Sequence, residues 1–403
     1  MPQMDNSKDG KINCADVVVT GLGCISGLGV NFSECMTNLF QGRQNTGFPT
    51  RFSPEPSVLY PVFEIDDSRV LWIKHLQNRG RTAQLAAVAA AEALADAGME
   101  VDGLAGKRVG VCIGTTVGNA MNNEEFYRQY RQGSHPDMFE MDRYFSSNPA
   151  EVIGEEFQLQ GPVMTVANAC SSGTDAIGMA LSWLQADLCD IVLAGGSDEL
   201  SSISYLGFAS LMISSETPCS PFDKKRKGLN LGEGAAVLVL EKSGVNRGKE
   251  KCTVSSYASA CDAYHLTAPH PEGIGLKKAL GEALDIAGIG KEQIAFINAH
   301  GTGTQDNDRV EMQVFAEMFS ETPYFSIKGC TGHTLGGAGG IEAAITVGCL
   351  VKGALPPSAG FTHLPEGMDN PPVTTEIPLL INEYALSQSL AFGGNNSVVI
   401  FRR

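Results

Sequence analysis

Three short segments of the chain each combine one reactive side chain with small neighbours, and these side chains are Cys170, His300 and His333. The segments are 167–173, 298–304 and 328–333. Each one ends an apolar run and is rich in Gly, Ser or Thr, so that a substrate can approach the backbone closely. One thiol and two imidazoles in such turns indicate covalent catalysis through a thioester.

Cys170 follows a short β-like run and precedes a stretch in which Ile177, Leu181 and Leu184 recur at helical spacing. A thiol at the N-terminus of a helix feels the positive end of the helix dipole, which favours the thiolate. The small residues 171–173 leave room for backbone N–H groups to face an oxyanion. We therefore predict that Cys170 is the nucleophile and that most of the other ten cysteines are structural.

His300 and His333 each follow a predicted strand and lie in a turn rich in Gly and Thr. The hydroxyls of Thr302 and Thr304, two positions apart, would point the same way if that stretch is extended. They suit hydrogen bonds to a substrate arm that contains amides. The remaining histidines are interpreted as polar core or surface groups: His75, His135, His265, His270 and His363.

Charged residues flank both histidine turns. Lys328 lies five positions before His333 and could hold that ring neutral through charge repulsion and a shared network, with Glu342 as the counter-charge. Asp308 and Glu311, three positions apart, follow the other histidine turn. For this pair we favour a structural role, capping or bracing the following helix, over a chemical one.

The segment 390–396 is a glycine-containing turn before the last predicted strand. Gly393 and Gly394 permit unusual dihedral angles. The backbone N–H of Phe392 could complete an oxyanion hole. A plain β-hairpin turn remains the alternative interpretation.

Bulk properties exclude several classes of protein. The chain of 403 residues exceeds one simple domain, and the net charge of −16 argues against nucleic acid as the main partner. The positive run 224–227 is interpreted as a solvated loop. No apolar run of about 18–20 residues is evident, so no membrane span is predicted. The polar segment 1–15 resembles no secretory signal and is expected to be a flexible leader.

Cysteine usage points to a reducing compartment. The chain has eleven cysteines and no Cys-x-x-Cys pair. An odd number of scattered thiols in a long chain favours reduced, buried cysteines in the cytoplasm over a disulfide framework. The spacing of zinc ligands is absent, so no metal is predicted.

The chain contains one long-period echo. An Ala-rich helix 81–98 that ends at Gly precedes a strand 108–115, and a helix 276–288 that also ends at Gly precedes a strand 294–298. The pattern predicts a duplicated α/β fold, with active residues at strand ends where the halves meet. The halves are 16–250 and 251–403, joined near 242–251. Residues of about 116–160 look like an insertion that could form a dimer contact or a cap.

These motifs resemble the β-ketoacyl-[acyl-carrier-protein] synthases of the thiolase superfamily, in the branch with a Cys-His-His site. The match runs almost end to end, through the stretches 17–23, 194–197, 232–235 and the closing Phe-Gly-Gly turn. The resemblance implies a thiolase-like duplicated αβαβα fold of five layers, normally dimeric.

The resemblance also implies a reaction. Cys170 would be acylated, and His300 and His333 would donate hydrogen bonds to the malonyl thioester carbonyl during a decarboxylative condensation. Lys328 and Glu342 would organise the second histidine.

Further roles follow from the same resemblance. Thr302 and Thr304 would hold the phosphopantetheine arm of the carrier, and Phe392, with Gly393 beside it, would gate the pocket and supply the oxyanion N–H. No other cofactor is implied. The partners would be an acyl carrier protein and either a second copy or a chain-length-factor homologue, without nucleic acid or membrane.

Two departures from the family pattern bear on the pathway. Fatty-acid members typically end in Gly-Phe-Gly-Gly-Thr-Asn, whereas here Ala391 replaces the leading Gly and Asn395 the Thr. The turn Cys-Ser-Ser-Gly after the nucleophile looks more like polyketide synthases than the Cys-Ala-Thr-Gly of elongation enzymes. We favour the catalytic half of a type II polyketide system, with fatty-acid elongation as the alternative.

Three other readings are weaker. A thiolase would place a second cysteine in the C-terminal turn, where Phe392 and two glycines stand. A cysteine hydrolase would need a third group that orients one base. A non-catalytic chain-length factor would lack Cys170.

Overall fold

The computed structural model describes residues 16–52, 59–116, 118, 123–246, 248–379 and 383–403. The predicted leader 1–15 lies outside these residues, as do 117 and 119–122 of the predicted insertion.

The strands and helices predicted from the sequence, such as the helix at 81–98 and the strand 294–298, are present among the described residues. The strands are β1 (Val17–Ser26), β2 (Val109–Gly114), β3 (Val163–Val166), β4 (Ile191–Asp198), β5 (Gly234–Lys242), β6 (Cys252–Cys261), β7 (Ile294–Asn298), β8 (Tyr324–Phe325), β9 (Ala354–Leu355), β10 (Ile377–Pro378), β11 (Tyr384–Ala391) and β12 (Asn395–Arg402). The helices are α1 (Phe32–Phe40), α2 (Arg81–Asp96), α3 (Glu124–Arg131), α4 (Phe139–Phe145), α5 (Pro149–Glu156), α6 (Ser172–Gln185), α7 (Ser202–Ser210), α8 (Ile274–Ala287), α9 (Gln305–Met318), α10 (Lys328–Thr331) and α11 (Ala338–Lys352).

The strand order confirms the duplication. Ten strands follow the order β3-β2-β4-β5-β1-β6-β12-β11-β7-β8. If the five strands that each half contributes to this sheet are numbered along the chain, which leaves out the separate pair β9 and β10, both halves read 3-2-4-5-1 from the outer edge inward. The pairings also match, because β2 and β7 each lie parallel to both neighbours and the two inner pairs of each half are antiparallel. The halves meet where β1 pairs with β6.

Helices complete five layers. Helices α6 and α11 contact each other and strands of both halves, so they form the middle layer. Helices α2 and α5 cover the outer face of the first half, and α8 and α9 pack in the core on the outer face of the second. The middle layer is apolar on nearly all sides, and 13 of the 15 residues of α11 are buried. A helix buried all round is typical of the centre of a large core.

The segment 116–160 is only partly an insertion. Helix α5 links the second and third strands of its half, as α9 does in the other half. The additions are therefore α3 and α4, neither of which has a buried residue. Composition could not separate these from α5, since all three are short.

One described stretch, Leu335–Lys352, is long and apolar enough to span a membrane by length and composition, which the sequence analysis did not recognise. Of this stretch, 89% is buried inside the protein. It consists of α11 with the turn before it and packs as a core helix.

Candidate active site

The structure brings Cys170, His300 and His333 to one cavity of about 320 Å³. Cys170 lies between β3 and α6, His300 lies just after β7, and His333 lies between α10 and α11. Their exposed fractions are 4%, 2% and 2%. The imidazole ring centroids are 5.2 Å apart, with the ring planes at 83°. The thiol and the two rings, contributed by different halves, therefore face one buried volume.

Side chains within the nucleophile turn hold its shape. Ala169 has a φ of +50°, a left-handed conformation that non-glycine residues rarely adopt. The hydroxyl of Ser172 accepts the N–H of Asn168 at 2.7 Å and donates to the carbonyl of Ala169 at 2.6 Å. The hydroxyl of Ser171 donates to the carbonyl of Asn168 at 2.9 Å. The two serines that follow Cys170 thus compensate for the strained residue before it.

The close crossing of α6 and α11 brings the two halves of the site together. A Cβ on Gly173 would lie 2.6 Å from the backbone nitrogen of Gly340. Only glycine fits at such a distance from another backbone. The glycine after the two serines is therefore a packing requirement as well as part of the turn.

His300 contacts the buried ion pair between Lys328 and Glu342. The Nζ of Lys328 lies 3.1 Å from Nδ1 of His300 and donates to the His300 carbonyl at 2.6 Å. An ammonium group can only donate, so Nδ1 must accept and the ring proton is on Nε2. The expectation that Lys328 and Glu342 directly organise His333 is wrong: the ammonium contacts the other histidine. Chain distance misled here, because the end of β7 passes closer to Lys328 than the turn five residues on.

His333 has the same tautomer through a backbone contact. Its Nδ1 accepts the N–H of Leu335 at 3.1 Å, so its Nε2 carries the proton. Burial lowers the pKa of both His300 and His333 well below the usual value, and the Lys328 charge lowers both further. Both rings are neutral donors at neutral pH. The charge repulsion expected of Lys328 therefore acts on His333 from a distance.

The Cys170 thiol is protonated at rest. Burial raises its pKa to about 11, although the charge of Lys328 and the backbone N–H of Phe392 lower it. The dipole of α6 by itself would favour the thiolate, as predicted from the sequence. Removal from water outweighs that effect, because it disfavours the charged form of a group with 4% exposure.

Asp308 and Glu311 brace the turn before α9 rather than the helix itself. Glu311 accepts the N–H of His300 at 2.8 Å and of Gly301 at 2.7 Å. Asp308 accepts the N–H groups of Thr302 at 3.0 Å and of the next glycine at 3.1 Å. Burial raises the pKa of both carboxyls, that of Glu311 to about 7. The two acids therefore hold the backbone that carries His300.

Thr302 and Thr304 line the cavity, but their stretch is not extended. Gly301 and Gly303 have φ values of +39° and +84°, which bend the chain. The two hydroxyls still lie together, 2.9 Å apart. They present a paired polar surface on the cavity wall.

Phe392 lies in the turn between β11 and β12, so the hairpin interpretation describes its backbone, and its role in an oxyanion hole stays a prediction. Its backbone N–H is near enough to the Cys170 thiol to lower the pKa of that group. Its ring stacks on Phe208 with centroids 5.5 Å apart and planes at 17°. Gly393 and Gly394 follow with φ values of +86° and +80°.

Three residues of the site were not predicted from the sequence. Phe208 lines the cavity and also meets the ring of His333, with centroids 6.4 Å apart. Asp198 is buried and accepts the N–H of Gly336 at 2.6 Å, beside the contact that orients His333. Arg226 is buried and donates to the carbonyl of Thr304 at 3.2 Å, so the run 224–227 is not wholly a solvated loop. Asp198 directly follows the motif 194–197, which was the available signal.

Two expected absences can be examined only in the described residues. There, no group of three or more His, Cys, Asp or Glu side chains could hold a metal ion. Ten cysteines in that part of the chain are free, and of these Cys261 is exposed.

Two parts of the chain match the two domain models of one protein family. Residues 15–244 match the family model described as beta-ketoacyl synthase, N-terminal domain, and residues 251–362 match the C-terminal domain. The 3-oxoacyl-[acyl-carrier-protein] synthase 2 of a Synechocystis strain is 32% identical, over 96% of this chain and 98% of the relative. The putative polyketide beta-ketoacyl synthase 1 of Streptomyces cyaneus is 34% identical, over 95% and 97%.

A solved structure agrees with these matches. A chain of the ishigamide ketosynthase/chain length factor superposes with a TM-score of 0.90 at 29% identity, over 96% of this chain and 99% of that one. The family resemblance and the thiolase-like fold class are confirmed. With a thiol and two imidazoles around one cavity and both family models matched, this chain belongs to the β-ketoacyl synthase family of acyltransferases.

Proposed function

We propose that this chain is the catalytic ketosynthase subunit of a type II polyketide synthase. It takes an acyl chain from a carrier-protein thioester onto Cys170 and condenses it with a malonyl unit from a second carrier thioester. The observation that carries this is the pair of neutral rings, His300 and His333, which both keep their proton on Nε2 beside the cavity that holds the thiol.

In the first step the acyl group changes sulfur. The Cys170 sulfur forms a bond to the thioester carbonyl carbon, and the bond from that carbon to the carrier sulfur breaks. In net terms the thiol proton passes to the departing carrier thiolate. The tetrahedral oxyanion is stabilised by the backbone N–H groups of Cys170 and Phe392.

In the second step carbon dioxide leaves the malonyl unit. The electron pair of the breaking C–C bond forms an enolate, whose oxygen accepts hydrogen bonds from Nε2 of His300 and of His333. The enolate carbon then attacks the acyl group, and Cys170 leaves as the thiolate and regains a proton. Two neutral donors suit this step better than a base, because decarboxylation itself creates the carbanion. Each well-placed donor is worth about 3–4 kcal/mol.

The carrier arm would run along the paired hydroxyls of Thr302 and Thr304, with Phe392 as the gate. Lys328 and Glu342 keep His300 in its donating tautomer, and Asp308 and Glu311 hold the backbone of that turn. No resident cofactor is needed, since the substrates arrive as thioesters on phosphopantetheine.

Two observations favour the polyketide pathway. The turn after the nucleophile is Ser171-Ser172-Gly173, and the relatives include a Streptomyces protein described as a polyketide synthase. Fatty-acid elongation is the second candidate, because the Synechocystis relative is a 3-oxoacyl-[acyl-carrier-protein] synthase 2 of equal coverage.

A partner subunit is proposed on the first edge of the sheet. Strand β3 is the edge strand, and its residues Val163 and Met164 are each 40% exposed. An apolar edge strand with unpaired backbone groups is a template for pairing. We propose a chain-length-factor homologue as the partner and a second copy of this chain as the alternative. The free thiols support a cytoplasmic setting.

The test is intact mass analysis after incubation with acyl-carrier protein and then malonyl-carrier protein. We expect an acyl adduct on Cys170 that disappears as a β-ketoacyl carrier two carbons longer forms. Cys170→Ala should give neither adduct nor product, and full condensation by that variant contradicts the proposal. Co-purification of a homologous subunit without the thiol decides between heterodimer and homodimer.

A further inference from the structure

A pair of side-chain amides joins the turn of Phe392 to the nucleophile turn. Nδ2 of Asn395 donates to Oδ1 of Asn168 at 2.7 Å. Asn168 lies two residues before Cys170, and Asn395 lies three residues after Phe392. The contact is thus a direct bridge between the segment that carries the thiol and the segment that carries the N–H near it. We call this hydrogen bond the Asn168–Asn395 clasp.

The orientation of Asn168 is determined by a buried carboxylate. Its Nδ2 donates to Oδ2 of Asp175 at 2.6 Å. Asp175 is 6% exposed and also accepts the hydroxyl of Tyr257 at 2.8 Å. A carboxylate can only accept, so Asn168 must direct its amide nitrogen to Asp175 and its oxygen to Asn395. The orientation of the Asn168 amide is therefore fixed independently of Asn395.

Asn395, the other member of the clasp, directly follows a turn whose glycines can adopt unusual dihedral angles. Asn395 is the first residue of β12 and pairs with Ala391 across the hairpin. Between them, Gly393 and Gly394 are left-handed and carry no side chains that would hold the turn in place. The second N–H of the Asn395 amide lies 3.5 Å from the carbonyl of Phe392. The same amide thus reaches both the nucleophile turn and the residue that supplies the oxyanion donor.

We propose that Asn395 is a positioning residue for acylation, which acts through Asn168 to hold the Phe392 N–H against the Cys170 sulfur. The inference rests on the proposed function and deepens it. The clasp ties the C-terminal end of the Phe392 turn to the nucleophile turn in the arrangement described. Its influence falls on the acyl-transfer step, because the histidine donors for decarboxylation lie on other segments.

The test uses two variants of the full chain. Asn395→Leu keeps a similar volume but removes the donor, and Asn395→Asp places a carboxylate oxygen against Oδ1 of Asn168. Three quantities are measured: the acylation rate of Cys170 by acyl-carrier protein, the release of CO2 from malonyl-carrier protein without an acyl donor, and the pH dependence of iodoacetamide alkylation at Cys170, read by peptide mass spectrometry.

We expect both variants to acylate about tenfold more slowly, less than the 100- to 1,000-fold cost of deleting an oxyanion donor outright. The alkylation profile of Cys170 should move to higher pH, because the Phe392 N–H lowers the pKa of that thiol. CO2 release should be unchanged, and Asn395→Gln, which keeps the amide, should retain more acylation activity than Asn395→Leu.

Asn246→Leu is the matched control. Asn246 is also half-buried and donates its amide to a backbone carbonyl, that of Ala97 at 3.0 Å, away from the cavity. It should leave all three quantities unchanged.

Two results would overturn the proposal: unchanged acylation and alkylation in both variants, or losses of acylation and CO2 release in equal proportion, which indicate a general structural role. If the wild-type protein neither acylates nor releases CO2, the proposed function fails. The alkylation profile of Asn395→Leu then still decides whether the clasp acts on the thiol.

Discussion

Lys328 determines the chemistry of the site at the level of single atoms. Its ammonium group makes Nδ1 of His300 an acceptor, and its charge disfavours protonation of both rings. It is 1% exposed and is compensated by Glu342, whose pKa burial raises to about 7. Burial, reinforced by the charge of Lys328, keeps both histidines neutral, which explains how the imidazoles can act as hydrogen-bond donors without acting as bases.

Replacement of Lys328 tests this role. In Lys328→Met, Nδ1 of His300 loses its donor and the ring can change tautomer, so we expect CO2 release from malonyl-carrier protein to fall about 100-fold, as for the loss of one donor. Lys278→Met removes an exposed lysine of α8 and should have no effect. A folded Lys328→Met protein with the wild-type rate would contradict the assignment.

The pH dependence of CO2 release follows from the same groups. The pKa values of His300 and His333 lie below the ordinary value of 6.5, so both rings stay neutral as the pH falls through that value. We expect no loss of rate from protonation of the rings until the pH is below 6.5; a change between about pH 8 and 6.5 belongs to Glu311 and Glu342, whose pKa values burial raises to about 7. Protonation would then place a hydrogen on Nδ1 of His333, where the Leu335 N–H already donates. Titration of either ring at or above pH 6.5, followed by the NMR signals of His300 and His333, would show that the rings are not shielded.

The three reactive side chains could be predicted from composition, because each stands among small residues at the end of an apolar run. Their contacts could not. The partner of Lys328 depends on which strand end passes nearby, and the pKa of Cys170 depends on burial, which a local sequence does not reveal. The dipole belongs to one helix and can be read from its sequence, whereas the burial that raises the pKa of the thiol depends on the whole fold.

At the scale of elements, the site depends on how closely α6 approaches α11. The strand bounds 294–298 were predicted correctly, since a short apolar run bounded by turn residues identifies this strand. The helix crossing was not predicted, because a glycine in a turn and a glycine at a crossing look alike in sequence. The contact of Gly173 with Gly340 distinguishes them.

Gly173→Ala tests the crossing. The added Cβ meets backbone that cannot move away cheaply, so we expect a loss of about 1–3 kcal/mol in the free energy of unfolding, measured by urea denaturation. Condensation should fall as well, because Cys170 moves with α6.

Gly281→Ala is the control within a helix. A Cβ there, in α8, meets nothing within 4 Å, so this variant should gain about 0.4–1 kcal/mol. If both alanine variants were equally stable, the close approach would not be a constraint.

At the scale of the whole molecule, β3 is an exposed edge strand, and within the described residues no strand pairs with its outer side. Strand β8 ends the other side of the sheet with both of its residues buried, whereas Val163 and Met164 of β3 are exposed. The duplicated halves are thus alike in topology and unlike at their edges. The echo in the sequence predicted the topology, but the difference between the edges depends on what covers each strand.

Charge on this edge should prevent assembly. We expect Val163→Lys combined with Met164→Lys to shift the protein to a single chain in sedimentation velocity, since lysine on an edge strand blocks pairing. Ile274→Lys combined with Ile286→Lys, which adds the same two charges at exposed positions of α8, should not. Assembly that survives both edge lysines would place the interface elsewhere.

The most direct test of the central claim is single-turnover mass analysis of His333→Ala. The account predicts that Cys170 still becomes acylated, because acyl transfer uses the backbone N–H groups near the thiol. CO2 release from malonyl-carrier protein should then be about 100- to 1,000-fold slower, so that the adduct remains on the enzyme over many wild-type turnover times. If the adduct instead passed into a longer β-ketoacyl carrier at the wild-type rate, the paired imidazoles would not be the donors that the reaction requires.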